Sequence, residues 1–118
     1  MKALVVFAHG ARDPAWARPV EQLAARLRDA MPDWTVEAAY LERVAPGIDE
    51  ALDGLAARGA REIVLLPVFW SAQGHVDQTV PALAERMRAR GVPLRALPVL
   101  SELPGLLEFV ASRARTLL

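Results

Sequence analysis

Apolar segments of strand length alternate with amphipathic helical segments four times along this chain, and this alternation restricts the fold more than any other feature. Strands are predicted at 2–8, 34–41, 62–68 and 92–99. The strand segments are mostly continuous apolar runs, which is typical of strands covered on both sides. Helices between successive strands imply parallel neighbours joined by right-handed crossovers. We therefore predict one α/β domain over residues 1–118, with a four-stranded, mostly parallel sheet and helices on both faces.

Four helices are predicted from apolar residues at three- and four-residue spacing. We expect them at 15–31 and from 48 to Gly59, with a third capped by Asp77 or Thr79 and a fourth that begins at Ser101. The fourth helix would carry three apolar residues on one face: Leu106, Val110 and Ala114.

The chain has no cysteine, and its 14 basic and 14 acidic residues give a formal net charge of zero. Any metal must therefore be bound by imidazole and oxygen ligands, a set that suits cobalt, nickel, iron or zinc held reversibly. The balanced charge gives no reason to expect nucleic acid or an anionic membrane as a partner. No apolar run is long enough to span a membrane and no signal peptide is recognised, so we expect a cytoplasmic protein.

The only two histidines, His9 and His75, each follow a predicted buried strand, and each adjoins a glycine, Gly10 or Gly74. Ligands of parallel α/β sheets bind just beyond the carboxyl ends of the strands. Two imidazoles at that edge indicate a metal site or an acid–base site. A histidine that merely ends a strand explains either position about equally well.

Further polar and aromatic residues are expected at the same edge. Glu42 follows the second strand, where a carboxylate could bind metal or accept protons. Arg12 and Arg43 carry guanidinium groups suited to substrate carboxylates, and Phe69 and Trp70 could offer a flat apolar surface to a planar ligand. Each of these residues could instead have no role in binding or catalysis, because exposed carboxylates usually face solvent and large apolar side chains usually belong to the core.

Three motifs stand at the ends of the first three predicted strands: His-Gly-x-Arg-Asp-Pro, then Leu-Glu, then Leu-Pro-x-Phe with Gly-His-Val. Together they resemble the small CbiX-type sirohydrochlorin chelatases, which are class II chelatases. The resemblance covers essentially the whole chain and implies the fold of one half of a two-domain chelatase. The implied activity is that of a lyase that inserts a metal into sirohydrochlorin or a related tetrapyrrole without ATP, for cobalamin or sirohaem biosynthesis.

The resemblance also implies roles for residues and partners. His9 and His75 would bind the metal as catalytic residues, with Glu42 as the acidic residue beside it. The metal would be a substrate, cobalt or otherwise iron or nickel, and no cofactor would be retained. Short members of the family are expected to pair as homodimers. The chain departs from the family pattern at three positions: Ala11, Trp70 and Gln73.

Two other functions are consistent with parts of the pattern. A non-catalytic carrier of metal or tetrapyrrole would use the same two histidines, and only turnover distinguishes it from a chelatase. A phosphoryl-transfer enzyme is disfavoured, because Ala8 stands where the Arg-His-Gly motif of histidine phosphatases needs arginine. For the chelatase we expect Arg12, Arg43 and Trp70 to contact the substrate.

Overall fold

A computed structural model describes every residue except Gln73, and of His75 it describes the main chain alone. The four strands are β1 (Lys2–Ala8), β2 (Trp34–Tyr40), β3 (Glu62–Pro67) and β4 (Leu94–Ala96). They form one sheet in the order β2-β1-β3-β4, and every neighbouring pair is parallel. The predicted parallel α/β sheet is therefore confirmed.

The α-helices are α1 (Arg18–Ala30), α2 (Ile48–Ala57), α3 (His75–Ala89) and α4 (Leu106–Leu117), with short 3-10 helices at Pro14–Ala17 and Leu100–Glu102. Within the part of the chain that the structure describes, no helix has the length and apolar character needed to cross a membrane.

The two faces of the sheet are covered by different helices. Side chains alternate along a strand, so Val5 and Phe7 of β1 belong to a core shared with α2 and α3. Leu4 and Val6 point the other way and pack with α1. Both faces of β1 are thus buried, which accounts for its unbroken apolar run and confirms helices on both sides of the sheet.

Two element ends differ from prediction because of local hydrogen bonding. β4 has three residues rather than the predicted eight, since Pro93 and Pro98 flank it and proline cannot donate to the ladder. The predicted first helix is split, with a 3-10 turn before α1. The Asp13 carboxylate caps this turn by accepting from the Ala15 N–H at 2.9 Å.

The prediction that Asp77 or Thr79 caps the third helix is wrong, because α3 begins at His75. Gly74 is the N-cap, with a φ of 78° that favours glycine. Asp77 lies in the first turn instead, where its N–H donates to the Ala72 carbonyl at 3.0 Å.

The prediction that Ser101 begins the last helix is also wrong. Ser101 lies in a 3-10 turn, and α4 begins only at Leu106. Leu103 between them is extended, with φ −71° and ψ 121°. The cause is Pro104, because the residue before a proline is sterically pushed out of the helical region.

Candidate functional site

The ends of β1 and β2 bring His9 and Glu42 together at the carboxyl edge of the sheet. His9 Nε2 lies 3.6 Å from Glu42 Oε1. The Leu41 N–H donates to the Ala8 carbonyl at 2.9 Å, and the Glu42 N–H donates to the His9 carbonyl at 3.0 Å. Hydrogen bonding between these two segments continues past the strand ends, and it holds the imidazole beside the carboxylate.

Gly10 permits this close approach. Its φ is 98°, and a Cβ at this position would lie 1.8 Å from the carbonyl oxygen of Glu42. Any side chain here would push the two loops apart. The glycine that follows His9 is therefore a geometric requirement of the His9–Glu42 pair.

Arg43 adds a positive charge near the same carboxylate oxygen that His9 faces, with its Nε 3.8 Å from Glu42 Oε1. The side chains of Glu42 and Arg43 are each about half exposed. Arg12 is exposed in the loop after β1 and makes no ion pair with any residue that the structure describes. Solvated ions and ligands can thus reach all three groups.

A pocket of about 200 Å³ opens beside His9, and Tyr40 and the exposed Trp16 help to form its wall. Trp16 is 71% exposed and lies in the 3-10 turn that Asp13 caps. We did not predict Trp16 as a site residue. The Asp13-Pro14 pair is a helix-start signal that could have placed it near the carboxyl end of β1.

Tyr40 links this pocket to α1. Its hydroxyl donates to Glu21 Oε1 at 3.0 Å, and the residue is buried. Burial, and then the hydrogen bond and negative charge of Glu21, raise the pKa of Tyr40 to about 12. Tyr40 therefore keeps its proton at neutral pH and serves as a fixed structural contact.

The two aromatic residues after β3 have different environments. The Phe69 ring packs edge-to-face against Phe7 with centroids 5.4 Å apart, so it belongs to the core. Trp70 is 59% exposed, and its carbonyl accepts a hydrogen bond from the Ser101 N–H at 3.1 Å. Of the two, only Trp70 presents an open face to a planar ligand.

The main chain places His75 as the first residue of α3, while its side chain lies outside the described residues. The pairing of His75 with His9 therefore stays a prediction. Among the described residues, no group of three or more histidine or acidic side chains is placed to hold a metal. His9 and Glu42 alone supply two ligands, which would leave most positions of a divalent metal open to water or to a second substrate.

The family model of CbiX matches residues 3–117. Curated relatives named sirohydrochlorin cobaltochelatase include those of Methanococcoides burtonii and Sulfolobus acidocaldarius. The first is 28% identical over 68% of this chain and 61% of the relative, and the second is 33% identical over 69% and 64%. The aligned part of this chain thus spans about three fifths of the length of these relatives.

A solved structure assigned as a cobalamin (vitamin B12) biosynthesis CbiX protein, from Marinobacter aquaeolei VT8, superposes with a TM-score of 0.83 at 25% identity. The superposition covers 98% of this chain and 96% of that protein. The two proteins therefore share one fold over nearly their whole lengths.

Proposed function

Because this chain belongs to the CbiX family, we propose that it is a chelatase that inserts a divalent metal into sirohydrochlorin or a related tetrapyrrole. Cobalt is the proposed metal, since the curated relatives are named sirohydrochlorin cobaltochelatase; the same donor types also suit iron and nickel. The product would serve cobalamin biosynthesis, or sirohaem biosynthesis if the metal is iron. The proposal is carried by the His9–Glu42 pair at the open carboxyl edge of the sheet.

The metal is proposed to bind first to His9 Nε2 and a carboxylate oxygen of Glu42, with His75 as the second imidazole. A chelatase must release the metal to the macrocycle, so tight retention would oppose turnover. Nitrogen and oxygen ligands without thiolate suit such a reversible site. The half-exposed side chains of the pair also leave the metal open to an approaching macrocycle.

Insertion exchanges two pyrrole N–H protons for one M²⁺ ion, which keeps the total charge constant. We assign the proton transfer to Glu42, or to one of the two imidazoles once the metal has left it for the macrocycle. Glu42 is half exposed, so the protons it accepts can pass directly to solvent.

The macrocycle is proposed to lie across this edge of the sheet. Arg12 and Arg43 would bind its carboxylates. Trp16 and Trp70, both more than half exposed, would contact its flat faces. We add Trp16 to the predicted substrate-binding residues because it is exposed and borders the pocket at His9.

The test is a spectrophotometric assay of metal insertion into sirohydrochlorin. Parallel reactions with Co²⁺, Ni²⁺ and Fe²⁺ show which metal the protein inserts. We expect His9→Ala and His75→Ala each to lower kcat/KM at least about 10²-fold, the lower range for a lost acid–base group. Asp33→Asn is the matched control, because Asp33 is an exposed acidic residue at the opposite end of the sheet. Unchanged rates in both histidine variants would overturn the assigned site. Stoichiometric cobalt binding without product above the uncatalysed rate would make the protein a carrier.

A further inference from the structure

The turn between β2 and α2 has an unusual backbone at Arg43. Within the part of the chain that the structure describes, Arg43 is the one residue other than glycine with a positive φ, at 68°. The Val44 N–H donates to the Glu42 carbonyl at 2.8 Å and closes a three-residue turn with Arg43 at its centre. A central φ of about +75° defines a γ-turn that is rare and strained. Glycine would occupy this position without strain, so arginine is held here at a cost in stability.

Neighbouring backbone hydrogen bonds keep the turn in this conformation. The Glu42 N–H donates to the His9 carbonyl at 3.0 Å, and the Tyr40 N–H donates across the base of the turn to the Pro46 carbonyl at 3.0 Å. A strained residue persists only where its surroundings fix it in this way, and such residues concentrate at functional sites. The position of Arg43 beside Glu42 is therefore set by the fold.

The turn places the Arg43 guanidinium near the oxygen that is proposed to bind the metal. Its Nε lies 3.8 Å from Glu42 Oε1, and His9 Nε2 lies 3.6 Å from the same oxygen. A metal–oxygen bond is about 2 Å long, so a divalent ion on this oxygen would lie at most about 6 Å from the Nε. Two such charges in water repel each other enough to raise a dissociation constant about tenfold at low salt. Arg43 thus weakens the site for its metal.

The contact between Arg43 and Glu42 is loose enough for a ligand to replace it. At 3.8 Å it is an ion pair without a hydrogen bond, and both side chains are about half exposed. Exposed pairs of this kind contribute little to stability, whereas a guanidinium can bind a carboxylate through two parallel hydrogen bonds. A carboxylate of the tetrapyrrole would therefore take the guanidinium from Glu42 and neutralise its charge.

We propose that Arg43 couples the binding of the two substrates, so that the tetrapyrrole raises the affinity of the His9–Glu42 pair for divalent metal. This coupling rests on the proposed chelatase function and adds an order of binding to it. The metal binds weakly while the site lacks an acceptor, and more tightly once the macrocycle is present. Because such coupling is reciprocal, bound metal should raise the affinity for the tetrapyrrole by the same factor.

The first test measures Co²⁺ binding by calorimetry at low salt without tetrapyrrole, so that its result does not depend on chelatase activity. Arg43→Gln removes the charge but keeps a side chain at the strained position, and it should lower the dissociation constant about tenfold. Arg43→Lys keeps the charge and should bind Co²⁺ like the native chain. Arg61→Gln is the matched control, because Arg61 is exposed at the opposite edge of the sheet, just before β3. An unchanged constant in Arg43→Gln, or an equal gain in Arg61→Gln, would overturn the proposal.

Arg43→Gly separates the charge from the conformation of the turn. Glycine adopts a positive φ without strain, so this variant should unfold at a higher urea concentration than Arg43→Gln. Because both variants lack the charge, both should bind Co²⁺ with the same affinity. Tighter binding in Arg43→Gly alone would assign the effect to the turn and would contradict the proposed coupling.

The second test uses steady-state insertion kinetics in which both substrates are varied. In the native protein the apparent KM for Co²⁺ should fall about tenfold as sirohydrochlorin approaches saturation, because the bound macrocycle neutralises Arg43. In Arg43→Gln the apparent KM for Co²⁺ should be low and independent of sirohydrochlorin. The same independence in the native protein would refute the coupling while the chelatase function stands, whereas absence of any product would refute the chelatase function itself.

Discussion

At the scale of the residue, the site depends on a few positions where the backbone itself sets the chemistry. His9 and Glu42 could be placed together from the sequence, because each follows a strand and parallel strands end at one edge of the sheet. Their 3.6 Å separation could not, since it depends on hydrogen bonds between the two loops and on the close approach that Gly10 allows. Trp16 was missed because its place depends on the Asp13 cap.

Gly10→Ala should destabilise the fold by about 1–3 kcal/mol more than Gly59→Ala does. Both glycines have a strongly positive φ, but an added Cβ meets Glu42 only at position 10, and at position 59 it meets open space. The conformational cost of placing alanine at a positive φ is therefore similar in the two variants, and the difference between their stabilities is steric. Urea denaturation measures the free energy of unfolding of each variant. Equal losses of stability in the two variants would show that the His9 and Glu42 loops are free to move apart.

Glu42→Gln keeps the size of the side chain and removes its negative charge. If Glu42 accepts pyrrole protons, kcat for metal insertion should fall about 10²-fold or more, with a smaller effect on the KM for the tetrapyrrole. Steady-state insertion kinetics give the two constants separately. A variant that changes only the KM for the tetrapyrrole would instead assign Glu42 to substrate binding.

At the scale of the element, sequence patterning predicted each of the four strands and four α-helices of the described residues, but not the two 3-10 helices and not all of the element ends. Apolar periodicity reports which residues face the core, and this is why β1, β2 and α2 agree closely with expectation. The ends of β4, α3 and α4 depend on local stereochemistry that periodicity does not contain. Gly74, with its positive φ, is the N-cap before α3, and Pro104 delays the start of α4 to Leu106.

The Tyr40–Glu21 hydrogen bond between β2 and α1 should make stability fall at alkaline pH. The pKa of Tyr40 is about 12 in the folded protein against 10.0 for the free side chain. Between these values the unfolded chain releases a proton that the folded chain keeps, so the bond contributes fully below pH 10 and its contribution is lost as pH rises towards 12. The loss is up to about 3 kcal/mol.

Urea unfolding at pH 9 and at pH 11 measures this loss, and Tyr40→Phe is the control. The variant lacks the titrating hydroxyl and should lose less stability between the two pH values than the parent protein. Parallel pH dependence of the two proteins would mean that Tyr40 titrates normally in the folded state.

At the scale of the whole molecule, the candidate site and an apolar groove beside α1 lie on different surfaces. The His9–Glu42 pair lies at the carboxyl edge of the sheet, whereas the groove is lined by Leu27, Val64 and Leu97 on the face that carries α1. The parallel sheet could be predicted from the alternation of strands and helices. The exposure of α4 could not, because its apolar stripe is equally typical of a helix packed on its own chain.

Co²⁺ should raise the melting temperature of the protein. A metal that binds only the folded state stabilises it by mass action. Thermal melts with and without Co²⁺, followed by addition of a chelator, measure the effect. His9→Ala should abolish the shift in melting temperature. A shift of equal size in that variant would place the metal elsewhere.

The positions of the three tryptophans have a practical consequence for optical measurement. Trp16 borders the pocket at His9, Trp70 follows β3 on the exposed surface, and Trp34 lines the apolar groove beside α1. Each indole thus senses a different part of the molecule. Chains that retain only Trp16 or only Trp70 would report arrival of the macrocycle by quenching. A chain that retains only Trp34, which lies away from the candidate site, would serve as the unquenched reference.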